Sequence, residues 1–143
     1  MADSSDVDNA IVTALQADTG AGGVATLMPG GIYVDEAPAG VTQFVIVSLV
    51  DEADVDVFER RAAEEALYLV EARELSTVAV KNIKAAAARI DALLKNGSLT
   101  ATGYAAVTTR RESRTRITEV DDLDSSIRWQ RRGGRYRAMA TPA

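Results

Sequence analysis

The sequence predicts an α+β domain: a mostly antiparallel sheet with one long helix and a short N-terminal helix packed on one face. Short β-branched segments are separated by glycine and proline turns, and one long amphipathic segment lies among them. The 143 residues suit a single domain over residues 1–143. A composition of 47% hydrophobic and 26% charged residues is typical of a packed globular chain.

The N-terminal part of the chain predicts a short helix followed by a short strand. Apolar residues recur every four positions from Val7 to Leu15, and Ser4 or Ser5 is suited to cap such a helix. The turn Pro29-Gly30-Gly31 then leads into Ile32-Tyr33-Val34, which favours a short strand.

The next part of the chain predicts two strands joined by a charged loop. Phe44 to Val50 is a β-branched apolar run, which favours a strand buried on both faces. Residues 58–75 fit either a helix or a strand, and the alternation from Ala66 to Arg73 favours the strand. The acidic run between them is expected to be a solvated loop. Its members are Asp51, Glu52, Asp54 and Asp56.

The longest amphipathic segment predicts a helix that begins at a Ser76 or Thr77 cap. Its apolar stripe consists of Val80, Ile83, Ala87, Ile90 and Leu94. Asn96-Gly97 is expected to end the helix as a left-handed cap. Two β-prone segments follow, Tyr104 to Arg116 and Ile127 to Met139, and Gly133-Gly134 is expected to break the second one.

Composition removes most catalytic chemistry from consideration. The chain has no cysteine and no histidine, so thiolate nucleophiles, imidazole bases and the usual zinc ligands are absent. The 21 acidic residues leave a carboxylate enzyme as an alternative, which two acids converging in a closed pocket would indicate. The acidic run lacks the glycine and glutamate of a calcium loop, and the glycine clusters favour turns over a phosphate loop. We therefore expect no enzyme activity, no cofactor and no metal.

Charge is distributed unevenly along the sequence. Residues 1–59 contain eleven acids and no lysine or arginine, whereas Arg110 to Arg137 contains nine arginines and five acids. Such asymmetry suits a nucleic acid, a membrane surface or an oppositely charged protein copy as partner. No apolar run approaches the roughly 18 residues of a membrane span, so no membrane partner is expected. The net charge of −5 argues against a plain DNA-binding protein.

One arginine-rich segment is a candidate interface. It contains Arg110, Arg111, Arg114 and Arg116. Alternate residues of a strand share a face, so Arg110, Arg114 and Arg116 are expected to align toward an acidic neighbour. A solvated sheet face neutralised by Glu112 and Glu119 is the alternative. Direct nucleic-acid binding is disfavoured, because few aromatic residues accompany these arginines as stacking platforms.

A second candidate interface lies near the end of the sequence. It combines the residue types that dominate interface hot spots with a paired glycine, which permits close approach of another backbone. Its members are Trp129, Arg132, Gly133, Gly134 and Tyr136. The alternative is that the tryptophan only closes the core beneath the last strand.

Several segments occur in the order seen in a known family. They are the strand Ala66 to Ala72, the helix ending in Ala87 to Leu94, Gly103-Tyr104 with the arginine-rich strands after it, and the closing segment Arg132 to Arg137. The N-terminal helix and the first two strands also stand in the same order. Over nearly its whole length the chain therefore resembles the bacteriophage tail terminator (tail completion) proteins.

This resemblance implies a virion protein of the tail or neck, made in the host cytoplasm, without a reaction or a cofactor. It implies a homo-hexameric ring that caps the tail tube, stops its growth and joins the tail to the head connector. We then expect the acidic run to face a channel through which DNA passes without specific binding, and the basic strands to meet a neighbouring copy. A head-completion or connector protein on the head side of the joint is one alternative. A host nucleic-acid-binding module that uses the C-terminal arginines is another.

Overall fold

The strands form one six-stranded mixed sheet in the computed structural model, which describes residues 4–57, 60–79 and 81–143. The helices are α1 (Ser4–Gln16), α2 (Val24–Leu27) and α3 (Ile83–Leu94). The strands are β1 (Ile32–Val34), β2 (Gln43–Val57), β3 (Arg60–Leu75), β4 (Asn96–Leu99), β5 (Tyr104–Val120) and β6 (Arg128–Pro142). Their spatial order is β1-β2-β3-β6-β5-β4, with β1 parallel to β2 and the other neighbours antiparallel.

The predicted fold class is wrong in its sheet and in its long helix. The sheet is mixed because β1 pairs with β2 in parallel, and no helix of the described residues is long: α1 has 13 residues, α3 has 12 and α2 has 4. A turn follows β3, in which the backbone N–H of Val78 donates to the Leu75 carbonyl oxygen at 3.0 Å. Glu74 Oε1 accepts a hydrogen bond from the backbone N–H of Asn82 at 2.9 Å. Helix α3 therefore begins at Ile83 rather than near Ser76. Val80, a member of the predicted stripe, lies outside the described residues.

Two glycine predictions are also wrong. Asn96-Gly97 begins β4 instead of forming a left-handed cap, and Gly97 permits close packing because a Cβ there would lie 2.6 Å from the Leu93 carbonyl oxygen. Gly133-Gly134 does not break β6, which continues through both residues. A Cβ on Gly133 would lie 1.9 Å from the Val70 carbonyl oxygen, so glycine here allows β6 to pass close to β3.

The acidic run belongs to β2, so the predicted solvated loop is wrong. Strand β2 pairs with β3 as far as Val57↔Arg60, with two register shifts along the way. The apolar run ends near Val50, but the backbone ladder with β3 continues beyond it. Hydrogen bonding to a long hairpin partner, rather than burial, keeps these residues extended.

One face of the sheet carries the helices and the hydrophobic core. The core side chains of the sheet are Val45, Val47, Ala66, Tyr68, Val70, Ala72, Tyr136, Ala138 and Ala140, and those of the two longer helices include Ile11, Leu15, Ile83, Ile90 and Leu94. Asp18 ties the helices together. Its carboxylate accepts two hydrogen bonds from Arg89 of α3 at 2.8 and 2.9 Å, and one from the backbone N–H of Val24 at 2.9 Å.

Several predicted elements are confirmed. These are the N-terminal helix, the strand Ile32–Val34 and the strands within residues 44–50 and 66–73, the last two as parts of the longer β2 and β3. Burial on both faces ends at Val47, because Leu49 and Val50 are 38% and 46% exposed. Within the described residues, no helix has both the length and the apolarity that a membrane span needs.

Candidate interaction surfaces at two sheet edges

Two strands of the sheet have unpaired edges at diagonally opposite corners. Strand β1 covers β2 only over Val45–Val47, and β4 covers β5 only over Val107–Arg110. In the described part of the chain, residues 48–57 of β2 and 112–120 of β5 therefore have no strand on their outer side. An uncovered strand edge presents free N–H and C=O groups to another chain. We call these segments the β2 edge and the β5 edge.

The β2 edge is acidic. Asp51 and Glu52 are exposed on it, and Asp54 and Asp56 lie further along the same strand. Glu52 pairs with Ala66 of the core and its charge contributes to the raised pKa of Tyr68, so Glu52 lies on the helix-bearing face. Asp51 lies on the helix-free face.

The β5 edge contains two arginines, Arg114 and Arg116, and two glutamates, Glu112 and Glu119. A bulge decides which arginines on and beside this edge share a face. Arg110 pairs with Arg137 on the helix-free face, whereas Arg111 pairs with Tyr136 of the core. The register shift between Arg111 and Ser113 then places Arg114 and Arg116 on the helix-bearing face. The predicted alignment of Arg110 with Arg114 and Arg116 is therefore wrong, because simple alternation does not survive a bulge.

A basic groove of about 580 Å³ lies between α3 and the strands beside the β5 edge. Its lining includes Lys84, Ala87, Ala88 and Asp91 of α3, Arg114, Thr115 and Arg116 of β5, and Arg132, Gly133 and Tyr136 of β6. Asp91 is already engaged, since it accepts a hydrogen bond from Arg111 at 2.8 Å and lies 3.5 Å from Arg114. Lys84, Arg116 and Arg132 form no ion pair with any described residue.

The acids expected to neutralise the arginine cluster bind other residues. Glu112 accepts a hydrogen bond from Arg137, which lowers the pKa of the Glu112 carboxyl, and Glu119 accepts one from Arg131. Arg131 also donates to Glu71 Oε1 at 3.0 and 2.6 Å. These pairs lie on the helix-free face of the sheet. Glu112 also interacts with Arg110 through its charge, but neither glutamate pairs with Arg114 or Arg116. Arg114 lies beside Asp91 instead, and Arg116 forms no ion pair with a described residue.

The second candidate interface is divided between surface and core. Trp129 is half-buried and packs edge-on against Phe44, with ring centroids 5.6 Å apart. Arg132 is half-buried in the groove, while Gly133 and Gly134 are buried at the contact between strands. Tyr136 is 1% exposed and donates a hydrogen bond to Asp91 at 3.1 Å, and burial raises the pKa of its phenol well above the usual range.

Sequence reasoning missed the apolar side chains beside the charged ones. Leu49 and Val50 lie at the β2 edge, and Ile117 and Val120, 44% and 48% exposed, lie at the β5 edge. An available signal was that the apolar run of β2 continues to within one residue of the acids. Lys84 was missed as well, because its place in the groove depends on how α3 crosses the sheet.

The described carboxylates of the groove and the two edges do not form a pair of converging acids. In residues whose side chains the structure describes, no group of three or more acids is arranged to hold a metal ion. The groove carries one carboxylate, Asp91, which is bound by arginines and by a tyrosine hydroxyl. The arrangement suits contact with an acidic surface.

Comparisons with known proteins identify the fold. No family model matches the chain, and no curated protein sequence matches it. A chain of the "Virion of native gene transfer agent (GTA) particle" has a TM-score of 0.59 and 19% identity, over 94% of both chains. A second solved structure, whose name states no function, has a TM-score of 0.65 and 12% identity, over 100% of this chain and 99% of its own. These likenesses show that the chain shares its fold with those two proteins over nearly all of its length.

Proposed function

We propose that this chain is a structural protein of a phage-like virion, without enzymatic activity. In this proposal identical copies, six by the family resemblance, form a ring at the head-proximal end of the tail tube. The ring ends tube growth and joins the tail to the head connector. Its protein partners are other copies of itself, the tail tube protein and the connector.

The observation that carries the proposal is the separation of opposite charges onto two uncovered sheet edges. The β2 edge contains four acids and no base, whereas the β5 edge presents Arg114 and Arg116 on the helix-bearing face and has its two acids, Glu112 and Glu119, bound to Arg137 and Arg131 of β6. A surface that is complementary to a different surface of the same molecule makes a head-to-tail contact, and such contacts build rings when the rotation closes. The likeness to a virion chain over nearly its full length supports the same assignment.

The acidic residues have a second proposed role in the channel. Asp51 lies on the helix-free face, where its charge helps to raise the pKa of Arg137. If this face lines the channel, Asp51 is presented to passing DNA, and like charge disfavours adhesion. A map of the ring that places Asp51 on the outer rim would remove this role without affecting the contact between copies.

A head-completion or connector protein on the head side of the joint is the second candidate. The same two edges favour a ring there, so the edges do not distinguish the tail side from the head side. The binding partner of the purified protein distinguishes them. A tail terminator attaches to the ends of purified tail tubes, whereas a head-side connector attaches to DNA-filled heads.

The direct test combines mass in solution with tube growth. The purified protein is measured by light scattering after size exclusion, alone and with tail tube protein of the same particle, and tube lengths are measured by electron microscopy. We expect a ring, or a monomer that becomes a ring at tube ends, and shorter tubes of uniform length. A monomer that leaves tube length unchanged but binds heads would move the assignment to the head side. A protein that binds neither would refute the virion role.

A further inference from the structure

We infer that neighbouring copies pair directly through their backbones, with the β5 edge of one copy hydrogen-bonded antiparallel to the β2 edge of the next. One sheet then runs from copy to copy, with all helices on the same side. The inference rests on the proposed self-assembly and specifies the contact that makes it.

Both edges have backbone groups available for this contact, and on the β2 edge the N–H of Glu52 already donates to Asp51 Oδ1 at 3.0 Å. The β2 edge has ten residues without an outer partner and the β5 edge has nine, in the described part of the chain. The two segments are similar in length, so a full ladder leaves few groups of either edge unpaired. Strand addition to an exposed sheet edge is a recurring mode of recognition, with affinity from main-chain hydrogen bonds.

Strand direction and facing agree with an antiparallel ladder. Three successive antiparallel pairings, β2 with β3, β3 with β6 and β6 with β5, make β5 run opposite to β2. A second copy placed in the same orientation beside the first therefore brings β5 antiparallel to β2. In this arrangement Glu52 lies on the same face as Arg114 and Arg116, so unlike charges face each other across the junction.

Charge also disfavours the two symmetric alternatives. Two β2 edges would oppose acids to acids, and two β5 edges would bring Arg114 and Arg116 of both copies together on the helix-bearing face. Like charges directly opposite each other in a sheet are destabilising. Only the unlike pairing is favourable, so the charges select a head-to-tail contact over a closed dimer.

Apolar side chains on both edges add to the contact. Leu49 and Val50 lie at the start of the β2 edge, and Ile117 and Val120 lie along the β5 edge, each more than a third exposed. Side chains at these positions become neighbours when the two edges pair. Exposed apolar side chains beside a free strand edge promote aggregation of a monomeric protein, and their burial between copies favours assembly.

The edges are offset along the strand direction, as ring closure requires. Following the pairings across the sheet, Val45 of β2 is level with Arg116 of β5, and Glu52 is level with Thr109. Each copy is therefore displaced by about seven residues, roughly 23 Å, relative to its neighbour along the strands. A sheet that closes on itself needs strands tilted and staggered in this way.

Cysteine cross-linking tests the contact, because the chain has no cysteine of its own. Val50→Cys and Ile117→Cys are made separately, mixed, and oxidised both free and with tail tubes. Leu123→Cys is the matched control, since Leu123 is 98% exposed in the turn between β5 and β6 and lies on neither edge. All three are exposed apolar positions, so folding should be unaffected. Adjacent positions on each edge are scanned to find the register.

We expect a cross-linked dimer in the mixture of Val50→Cys and Ile117→Cys, and a ladder of multimers from the double variant. Leu123→Cys mixed with Val50→Cys should give no such dimer. A cross-linked dimer of Ile117→Cys alone would overturn the inference. The absence of a cross-linked product from every scanned pair of edge positions would also overturn it, whether the protein forms rings or remains a monomer. Cross-linked multimers that do not bind tail tubes would support the edge pairing and refute the tail role. Rings that bind tubes but form no cross-links would support the tail role and refute the edge pairing.

Discussion

Reversing one charge on the β5 edge should weaken self-association, and Arg116→Glu is the sharpest such change. Arg116 is exposed, and no described residue forms an ion pair with it. Removing it therefore breaks no ion pair within the folded chain. In the proposed contact, its guanidinium lies on the same face as Glu52 of the neighbouring copy.

The expected size of the effect follows from the exposure of the pair. An exposed ion pair contributes about 0.2–1 kcal/mol, and reversal removes this attraction and adds a comparable repulsion. We therefore expect about 1 kcal/mol per contact, which is roughly a fivefold increase in the dissociation constant. The effect should shrink at about 1 M salt, where the screening length falls to about 3 Å.

Arg135→Glu is the matched control for this variant. Arg135 is also exposed, forms no ion pair with a described residue and lies within β6, away from both edges. The dissociation constant is measured by sedimentation over a concentration series for wild type, Arg116→Glu and Arg135→Glu. Mixing Arg116→Glu with Glu52→Arg should restore assembly, because every junction of an alternating ring then pairs unlike charges. Equal dissociation constants for the two arginine variants would refute the reasoning.

Three further predictions concern stability. Arg131→Met should lower the free energy of unfolding in urea by about 3–5 kcal/mol, because the Glu71 carboxylate, 1% exposed, stays buried without its main partner. An equal loss in the double variant Glu71→Leu/Arg131→Met, which removes both charged groups, would contradict this explanation. Gly133→Ala should lower the free energy of unfolding by about 3 kcal/mol, because the added methyl group would overlap the β3 backbone. Gly20→Ala is the control and should change stability little, because no atom lies within 4 Å of a Cβ placed there. Similar melting temperatures for the two variants would contradict this prediction. The hydrogen bond from the Arg89 guanidinium lowers the pKa of the Asp18 carboxyl. The ionised Asp18 therefore contributes fully to the free energy of unfolding above pH 3.8, and this contribution is lost as the pH falls through the lowered pKa. Asp18→Asn should therefore lose stability at neutral pH and show a smaller further loss as the pH falls below 3.8, and an unchanged acid dependence would count against this linkage.

The hydrophobic pattern of the sequence predicted the strands whose side chains alternate between buried and exposed positions or form a short apolar run. The β-branched run at 44–50 and the alternation at 66–73 mark strands, because period two matches burial on a pleated sheet. Element ends were not predictable in the same way. Strand β2 extends through the acidic run because of its ladder with β3, and α3 starts late because Glu74 holds the backbone at Asn82. Both causes are hydrogen bonds to a neighbouring segment, which the apolar pattern of the segment itself does not encode.

The candidate surfaces were predictable in charge but not in geometry. The acids of residues 51–56 and the arginines at positions 114 and 116 do lie on separate sheet edges, which is why these segments remain the proposed contacts. The bulge after Arg111 reverses the facing of every later residue of β5, so a prediction from simple alternation wrongly groups Arg110 with Arg114 and Arg116. Tyr136 illustrates the opposite case: a residue type common at interfaces is used here in the core, with its hydroxyl on Asp91.

Opposite charge on two open edges also bears on which assembly can form. A head-to-tail contact that does not close leaves one free edge at each end of a growing filament, and every free edge retains unpaired backbone groups. A ring leaves none, so each copy gains the same two junctions. The stagger between the edges allows this closure only when the strands are tilted around the ring, which fixes one direction of rotation for all copies. A protein that terminates a tube needs this property, because a closed ring has no edge in its own plane to which a further copy can add.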